Sequence, residues 1–350
     1  MSLQHINYRH LLQIDKLLIN HSIIVCTAGR AQYLESCLKQ LDRLLPIGEC
    51  ETILVDNNQT ELESIRVKNL AQKFRVKYIR EPSPGLTAAR HAGVMASSGD
   101  IVSFIDDDVL ISQTWFQSLV EIFQNKSVVL AGGPSKSNFE TSPPSWVFKT
   151  FKKELNAGFS CIWLSLLDLK FDVPNVDPMF IWGLNFNIRK HILLNLGGFN
   201  PDLVPAHYQE FQGDGESGLA WKIKSQNLRA DYCQKLSVLH MIPNSRLKID
   251  YVRTRAFYQG VGEAFTHLKQ GITKSSNTLK FITGVLRLFL SLRKLSYGYT
   301  FFCIIWFYFD YKGYRWLIHK YRNRAEVQDW INKKHYFGVD ISTFAGYDKL

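Results

Sequence analysis

The run Val102-Ser103-Phe104-Ile105 is apolar and stops abruptly at Asp106-Asp107-Asp108, before Val109. A short run rich in β-branched and aromatic residues reads as a buried strand of a sheet covered on both faces. The three carboxylates then stand at the strand's carboxyl end, the edge where open α/β sheets bind ligands. Adjacent acids repel one another, so a fold keeps them only beside a cation or hydrogen-bond donors. A hard divalent metal carrying a phosphate-bearing ligand would supply that compensation. The rival reading is a solvated acidic turn capping the helix that starts near Gln113.

The same plan recurs along the first 132 residues. Ser22-Ile23-Ile24-Val25-Cys26-Thr27 reads as a strand that breaks at Ala28-Gly29-Arg30, and Leu34, Cys37, Leu38 and Leu41 then follow at helical spacing. Thr52-Ile53-Leu54-Val55 ends in Asp56-Asn57-Asn58 before a polar helix from about Thr60 to Phe74. Val76-Lys77-Tyr78-Ile79 is a third strand, and Pro82 and Pro84-Gly85 precede a small-residue helix from Leu86 to Ala96. After the aspartates come a helix carrying Trp115, Phe116, Leu119, Val120 and Phe123 and a strand, Val128 to Ala131. Alternating strands and helices predict an α/β fold with a mostly parallel sheet. Each polar cluster alone fits an Asx turn or a cap. Three of them on one sheet edge form one site. No G-x-G-x-x-G follows a strand and no G-x-x-x-x-G-K-[ST] occurs, which argues against a dinucleotide site or a P-loop.

From Gly132 to Pro178 the chain reads as a long irregular insertion, rich in proline and aromatics, of the kind that serves function. Phe180-Ile181-Trp182-Gly183-Leu184-Asn185-Phe186 is strand-like, Gly197-Gly198-Phe199 is a turn, and Asp214-Gly215-Glu216 opens a helix. Ser237-Val238-Leu239-His240 is a last strand ending in a histidine.

In this order, Thr27 and Arg30, Asp56, Gly85 to Gly93 with Arg90, Phe104 to Asp108, Trp182 to Phe186, Gly197-Gly198-Phe199, Gly213 to Glu216 and His240 resemble family 2 glycosyltransferases. These are inverting enzymes of the GT-A fold, a Rossmann-like sheet flanked by helices. The resemblance covers residues 20–245. It implies that Thr27, Arg30, Asp56, Arg90, Asp106 and Asp107 bind a nucleotide-sugar, a UDP-sugar for preference. Capping is the alternative for Asp107. Asp108, with His240 as a candidate second ligand, would hold Mg²⁺ or Mn²⁺ at the diphosphate; a hydrogen-bonded structural role is the alternative for His240. Glu216, or its neighbour Asp214, would deprotonate the acceptor hydroxyl. Trp182 and Asn185 would line the acceptor side, with core packing the alternative for Trp182. Three positions depart from the family pattern: Ala28-Gly29 in the first loop, His91 where asparagine is usual, and the separation of Asp214 from Glu216.

Net charge locates a different partner. Residues 1–245 hold 24 Lys and Arg against 24 Asp and Glu, whereas residues 246–350 hold 18 against 7 and carry the whole excess of +11. A helix is expected from Tyr251 to Leu268, an apolar one from Phe281 to Leu292, and then fifteen uncharged, aromatic-rich residues from Leu295 to Phe309. As a helix that last run is about 22 Å long, short of the roughly 30 Å hydrocarbon core. With Lys312, Arg315, Lys320, Arg322 and Arg324 beside it, it fits an interfacial anchor on an anionic membrane. A buried helix of a small subdomain is the alternative. The apolar character of this basic segment argues against nucleic acid.

The chain thus divides into a catalytic domain, residues 1–245, and a helical, membrane-associating region, residues 246–350. Within the domain a donor half spans about 20–132 and an acceptor half about 133–245. Residues 1–20 lack the apolar core of a signal peptide, and six scattered cysteines without C-x-x-C pairing suit a reducing compartment, so the cytoplasmic face of a membrane is expected. The expected activity is transfer of a sugar from a nucleotide-sugar to a saccharide or lipid-linked acceptor. A sugar nucleotidyltransferase is a rival, although Thr27 to Arg30 is too sparse to cradle a triphosphate. A non-catalytic scaffold is another.

Overall fold

The computed structural model describes residues 20–46, 48–154, 157–272, 281–282, 284–286, 289–290, 292 and 296–344. The reading of the N-terminal residues as free of a signal peptide falls, except for Asn20, outside the described residues.

The opening units form as the apolar runs dictate: β1 (His21–Thr27), α1 (Ala31–Leu44), β2 (Cys50–Asp56), α2 (Glu61–Lys73), β3 (Lys77–Arg80), α3 (Leu86–Ala96) and β4 (Ile101–Asp106). All seven residues of β1 are buried, because helices cover both faces of its sheet. On one face lie Leu34, Cys37, Leu38 and Leu41 of α1. They recur at i, i+3, i+4 and i+7, the stripe a helix needs to lie on a sheet. On the other face α3 packs so closely that a Cβ on Gly93 would sit 2.5 Å from Ile24 Cγ2, which accounts for its run of small residues.

The chain continues through β5 (Val109–Ile111), α4 (Trp115–Phe123), β6 (Val128–Gly132), β7 (Ser135–Phe139), α5 (Ser145–Lys149), β8 (Lys152–Lys153), β9 (Phe159–Cys161), β10 (Leu166–Asp168), β11 (Asn185–Arg189), α6 (Lys190–Asn195), α7 (Gly215–Ser225), β12 (Arg229–Tyr232), β13 (Val238–Ile242) and α8 (Ile249–Lys269). Among the described residues the strands make two sheets. The larger has the order β12-β6-β11-β4-β1-β2-β3 and is mostly parallel, with β11 antiparallel to β4 and β6. The smaller has the order β5-β13-β7-β10-β9-β8.

The smaller sheet corrects the expectation of an irregular insertion. Its strands are only two to five residues long, and β7 buries little more than its first residue, so the stretch carries no continuous apolar run. The strand expected from Phe180 is also corrected. Asp177 caps a 3-10 turn at Pro178–Phe180, and the strand begins only at Asn185.

Beyond α8, the uncharged run expected from Leu295 to Phe309 lies, from Tyr297 on, in one 27-residue helix, Tyr297–Asn323, and Leu295 falls outside the described residues. It crosses α8 where glycine removes the side chain: Gly260 meets Asp310, and Gly313 meets the Phe257 carbonyl. The expected apolar helix from Phe281 to Leu292 is helical wherever it is described. The C-terminal helices do not stand apart from the residues before them. Val204, Tyr208 and Phe211 share a core with Val261, Phe265, Leu317, Trp330, Ile331 and Tyr336. Each Leu or Ile so buried contributes roughly 1.5–3 kcal/mol. Trp330 Nε1 donates to the Phe211 carbonyl at 2.8 Å, and Lys320 and Arg324 both pair with Glu210. Among the described residues, no helix is long and apolar enough to cross a membrane.

Candidate active site

Register builds the site. In the larger sheet Thr27 lies opposite Asp56, and Cys26 opposite Asp106, so three strands end together on one edge. The aspartate triplet sits where the chain leaves one sheet for the other, since β4 ends at Asp106 and β5 starts at Val109. The three carboxylates therefore enter three environments.

Asp107 points inward and is fully buried. Thr27 Oγ1 donates to it at 2.6 Å, and Arg30 Nη2 pairs with it at 2.6 Å. Burial, reinforced by Asp108, pushes its carboxyl up to about 7 against the pull of Arg30. Asp108 is also buried, yet Arg30 Nη1 and Arg246 Nη2 each donate to its Oδ2 at 2.7 Å, and His240 Nε2 lies 3.6 Å away. Burial opposes its ionisation, but His240, Arg30 and Arg246 outweigh burial and hold its carboxyl below the usual carboxylate range. Asp106 differs again, with a side chain 30% exposed and Arg90 3.5 Å away.

Arg90, buried on α3, joins this edge to α7. It lies 3.5 Å from Asp106 Oδ1 and 3.5 Å from Glu216 Oε2, and it donates to the Gly183 carbonyl at 3.1 Å. Its guanidinium stacks over Phe199, 5.1 Å from the ring centre. Burial works against its charge, but Glu216 and Asp106 outweigh that and its pKa is raised. Glu216 stands in the first turn of α7 with its side chain 29% exposed, and its Oε1 accepts from Gly183 N at 3.3 Å. Gly183 leaves room for this contact: a Cβ would sit 2.7 Å from Arg90 Nη2 and 2.9 Å from Glu216 Cδ and push the pair aside.

Geometry separates the two base candidates. Both oxygens of Asp214 are engaged, one with Asn200 at 2.7 Å and the other with Thr266 of α8 at 2.6 Å. Asp214 therefore ties α7 to α8, while Glu216 faces the open edge. Asn185 does not line an acceptor surface. It is buried, accepts from Trp115 Nε1 at 3.0 Å and donates to the Leu236 carbonyl at 2.6 Å, so it is a core polar link. Trp182 is half-buried between the two cores that flank the larger sheet, with its indole N–H on the Met179 carbonyl. Asp56 is fully buried and holds Asn58 and the Tyr78 hydroxyl, which shapes the loop after β2. That loop in turn receives the first one, because Gly29 N donates to Asn58 Oδ1. His91 accepts from Phe199 N at 3.0 Å and stacks on Phe337 at 3.9 Å; burial pushes its imidazole down to about 3.

Sequence reasoning missed Asp202 and Arg246. Asp202 accepts from Gln212 and packs against Gly215; burial and the neighbouring Glu216 push its carboxyl up to about 6. Arg246 comes from the short turn Asn244–Leu247 after β13, and its Nη1 lies 2.6 Å from His240 Nε2. Its signal in the sequence was only its position, six residues beyond His240, which lies inside β13 rather than at the strand's end as expected, since the strand runs on to Ile242.

Among the described residues no three His, Cys, Asp or Glu side chains form a ready-made metal cage. One oxygen of Asp108, Oδ1, is buried without a hydrogen-bond partner. One or two carboxylates completed by substrate phosphates are what Mg²⁺ usually takes, and imidazole is an acceptable further ligand for Mn²⁺. Asp108 and His240 fit a cation of that kind, bound together with a phosphate ligand.

Residues 22–170 match the family model described as glycosyl transferase family 2. A glucosyl-dolichyl phosphate glucuronosyltransferase of Haloferax volcanii is 24% identical over 249 residues, 68% of this chain and 74% of the relative. The succinoglycan biosynthesis protein ExoM of Rhizobium meliloti is 24% identical over 149 residues, 39% of this chain but only 48% of that relative. A mannosyltransferase of Pyrobaculum calidifontis, solved with GDP-Man and Mn²⁺, shares the fold with a TM-score of 0.51 at 14% identity, over 94% of this chain and 88% of that one. The match over residues 22–170 and these named relatives make the chain similar to family 2 glycosyltransferases.

Proposed function

We propose that the protein transfers a sugar, with inversion, from a nucleotide-sugar to a hydroxyl of a saccharide or lipid-linked acceptor. The observation that carries this is the bridge from Asp106 through Arg90 to Glu216. It puts a partly exposed carboxylate of the acceptor half within one guanidinium of the strand-end acids, which a single displacement requires. Glu216 takes the proton from the acceptor hydroxyl, whose oxygen forms the new bond to the anomeric carbon. The bond to the donor phosphate oxygen breaks, and the nucleoside diphosphate leaves with the electron pair. Asp108 and His240 would hold Mg²⁺ or Mn²⁺, which supplies charge neutralisation at the departing diphosphate. Asp107 fixes Thr27 and Arg30, and through them the first loop. A UDP-sugar is the proposed donor. A lipid-linked acceptor draws support from the relative named for glucosyl-dolichyl phosphate. Calorimetry with UDP and GDP, with and without Mn²⁺, tests the site. Asp108→Ala should abolish Mn²⁺-dependent binding, and binding unchanged in that variant would sink the assignment.

An anionic membrane surface is the second proposed partner. On the helix Tyr297–Asn323, Phe302, Tyr314 and Leu317 pack inward while Tyr297, Phe301, Ile304 and Tyr308 are exposed. Phe281, Ile282, Leu286, Phe289 and Leu290 extend this apolar surface, and Lys312, Arg315 and Arg322 are exposed further along the helix. Aromatics beside basic residues suit the headgroup boundary of an anionic leaflet.

A further inference from the structure

Two guanidiniums sit on Asp108 Oδ2, and one of them also on His240 Nε2, which leaves Asp108 Oδ1 without a partner and sets positive charge beside any cation bound there. Arg30 and Arg246 both donate to Asp108 Oδ2 at 2.7 Å, and the other arm of Arg246 reaches His240 Nε2 at 2.6 Å. Arg30 is tethered on its far side by Asp107, 2.6 Å away. Arg246 has no second carboxylate among the ion pairs of the described residues, and its side chain is 16% exposed. It rises from a four-residue turn, not from a sheet or a long helix, so its long side chain can swing.

The placement follows from register. β13 pairs antiparallel with β5, setting His240 opposite Val109, and Met241 N donates to the Asp108 carbonyl at 2.9 Å. The turn after β13 therefore returns over the end of β4. A divalent cation at Asp108 and His240 would meet Arg246 at contact distance, and like charges so close repel. For the cation to enter, Arg246 must leave. A displaced guanidinium at this edge then has one strong partner in reach, the diphosphate that arrives with the cation, whose oxygens match its planar fork.

We propose that Arg246 is a diphosphate-binding residue that, without donor, is held on Asp108 and His240 in the place of the cation. This rests on the donor and cation reading given above. Its consequence is coupling. A cation alone must displace Arg246 with nothing to receive it, and a diphosphate alone must draw Arg246 off while Asp108 remains charged. Together each removes the obstacle to the other. By linkage, UDP must raise the affinity for Mn²⁺ by the same factor that Mn²⁺ raises the affinity for UDP.

The test is Mn²⁺ binding to the full chain, followed by the electron paramagnetic resonance of free Mn²⁺, with and without saturating UDP. Wild type should bind Mn²⁺ weakly alone and at least about tenfold more tightly with UDP, within the usual span of such couplings. Arg246→Gln should bind Mn²⁺ alone more tightly than wild type, should lose most of the UDP-induced gain, and should bind UDP more weakly at saturating Mn²⁺. Arg246→Lys keeps a charge without the fork and should fall between the two; thermal unfolding confirms that both variants fold. Unchanged Mn²⁺ affinity in Arg246→Gln without UDP would overturn the proposal while leaving the donor site standing. Absence of any Mn²⁺-dependent binding of UDP or GDP in wild type would overturn the donor reading itself.

Discussion

Glu216 Oε2 and Arg90 Nη1 lie 3.5 Å apart and join α7 to α3. The contact is possible only because residue 183 has no side chain, and Gly183 N itself holds the other oxygen of Glu216. The carboxylate is thereby fixed in direction before any acceptor arrives. Replacing Glu216 by Gln should keep the bond from Gly183 N, since an amide oxygen still accepts, but its NH2 no longer pairs with Arg90 and the amide cannot take a proton. We expect kcat to fall by about 10²–10⁴, the usual range for a lost general base, with donor binding unchanged by calorimetry. Asp214→Ala should behave in the opposite way. It frees Asn200 and Thr266 and should cost about 1–3 kcal/mol in a denaturant titration, with turnover per folded molecule largely retained. Normal turnover in Glu216→Gln would remove Glu216 from the chemistry.

Gly183→Ala separates geometry from composition. The added methyl would meet the ends of two flexible side chains, Arg90 and Glu216, so both can shift and folding should be little affected. The guanidinium and the carboxylate would nevertheless be pushed apart. Displacements of this size at a reacting centre cost on the order of 10²-fold in rate. A melting temperature near wild type beside a large loss of kcat is the expected pair of results. An unaltered kcat would mean that the Arg90 bridge is not part of the working site.

What could be read directly from the chain were the parts whose burial is two-sided. β1, β2 and β4 are continuous β-branched or aromatic runs, and their polar ends align on one edge of the larger sheet as their order suggests. The smaller sheet could not be read in the same way. Its strands are short and half-solvated, and their order along the chain gives no hint that β13 inserts between β5 and β7. Arg246 was hidden for the same reason, because only that pairing brings the turn after β13 to Asp108. Asn185 misled in the other direction. The resemblance put its amide on the acceptor side, but here it satisfies a buried Trp115 and a backbone carbonyl.

His91 should make stability sensitive to acid. Burial holds its folded-state pKa near 3, below the ordinary value of 6.5. Between those limits the unfolded chain binds the extra proton and the folded chain does not, so this contribution is present above pH 6.5 and is lost as pH falls toward 3. One such group sets a slope of at most about 1.4 kcal/mol per pH unit. Asp107, with its carboxyl raised to about 7, has the opposite sign: its contribution is present at low pH and is lost as pH rises through 7. Urea titrations from pH 4 to 8 should therefore show His91→Asn flattening the acid side, and Asp107→Asn flattening the decline toward neutral pH. A His91→Asn curve parallel to wild type below pH 6 would contradict the burial of a neutral imidazole.

The helix crossing at Gly260 and Gly313 should tolerate no side chain. A methyl on Gly313 would run into the Phe257 carbonyl, and one on Gly260 into the Asp310 carbonyl. Backbone cannot yield as a side-chain tip can. Gly313→Ala should force α8 and the helix Tyr297–Asn323 apart and cost about 1–3 kcal/mol, the usual penalty for overpacking. Because Phe211 shares its core with Trp330 and Phe265, the loss should also loosen the loop that leads into Gly215 and Glu216. Hydrogen exchange across residues 204–216 would register it, and unchanged protection there would separate the C-terminal core from the site.

Removing the C-terminal region is a poor test of membrane binding, because Trp330, Ile331 and Tyr336 are part of the core around Phe211 and a truncated chain would lose that core. Point changes on the exposed face avoid this. Phe301, Ile304 and Tyr308 stand on the outer side of the helix, more than 45% exposed, while Phe302 one position away is buried against Trp146 and Trp163. Replacing the outer three with serine removes apolar surface without opening a cavity. Flotation with vesicles containing phosphatidylglycerol should capture wild type and lose most of the triple variant, and Phe302→Ser should instead lower thermal stability. Capture should weaken at high salt, since Lys312, Arg315 and Arg322 contribute through a screened surface potential. Equal capture of wild type and triple variant would remove this face as the membrane contact. Capture by neutral phosphatidylcholine vesicles alone would mean that apolar area, rather than the basic excess of residues 246–350, carries the attachment.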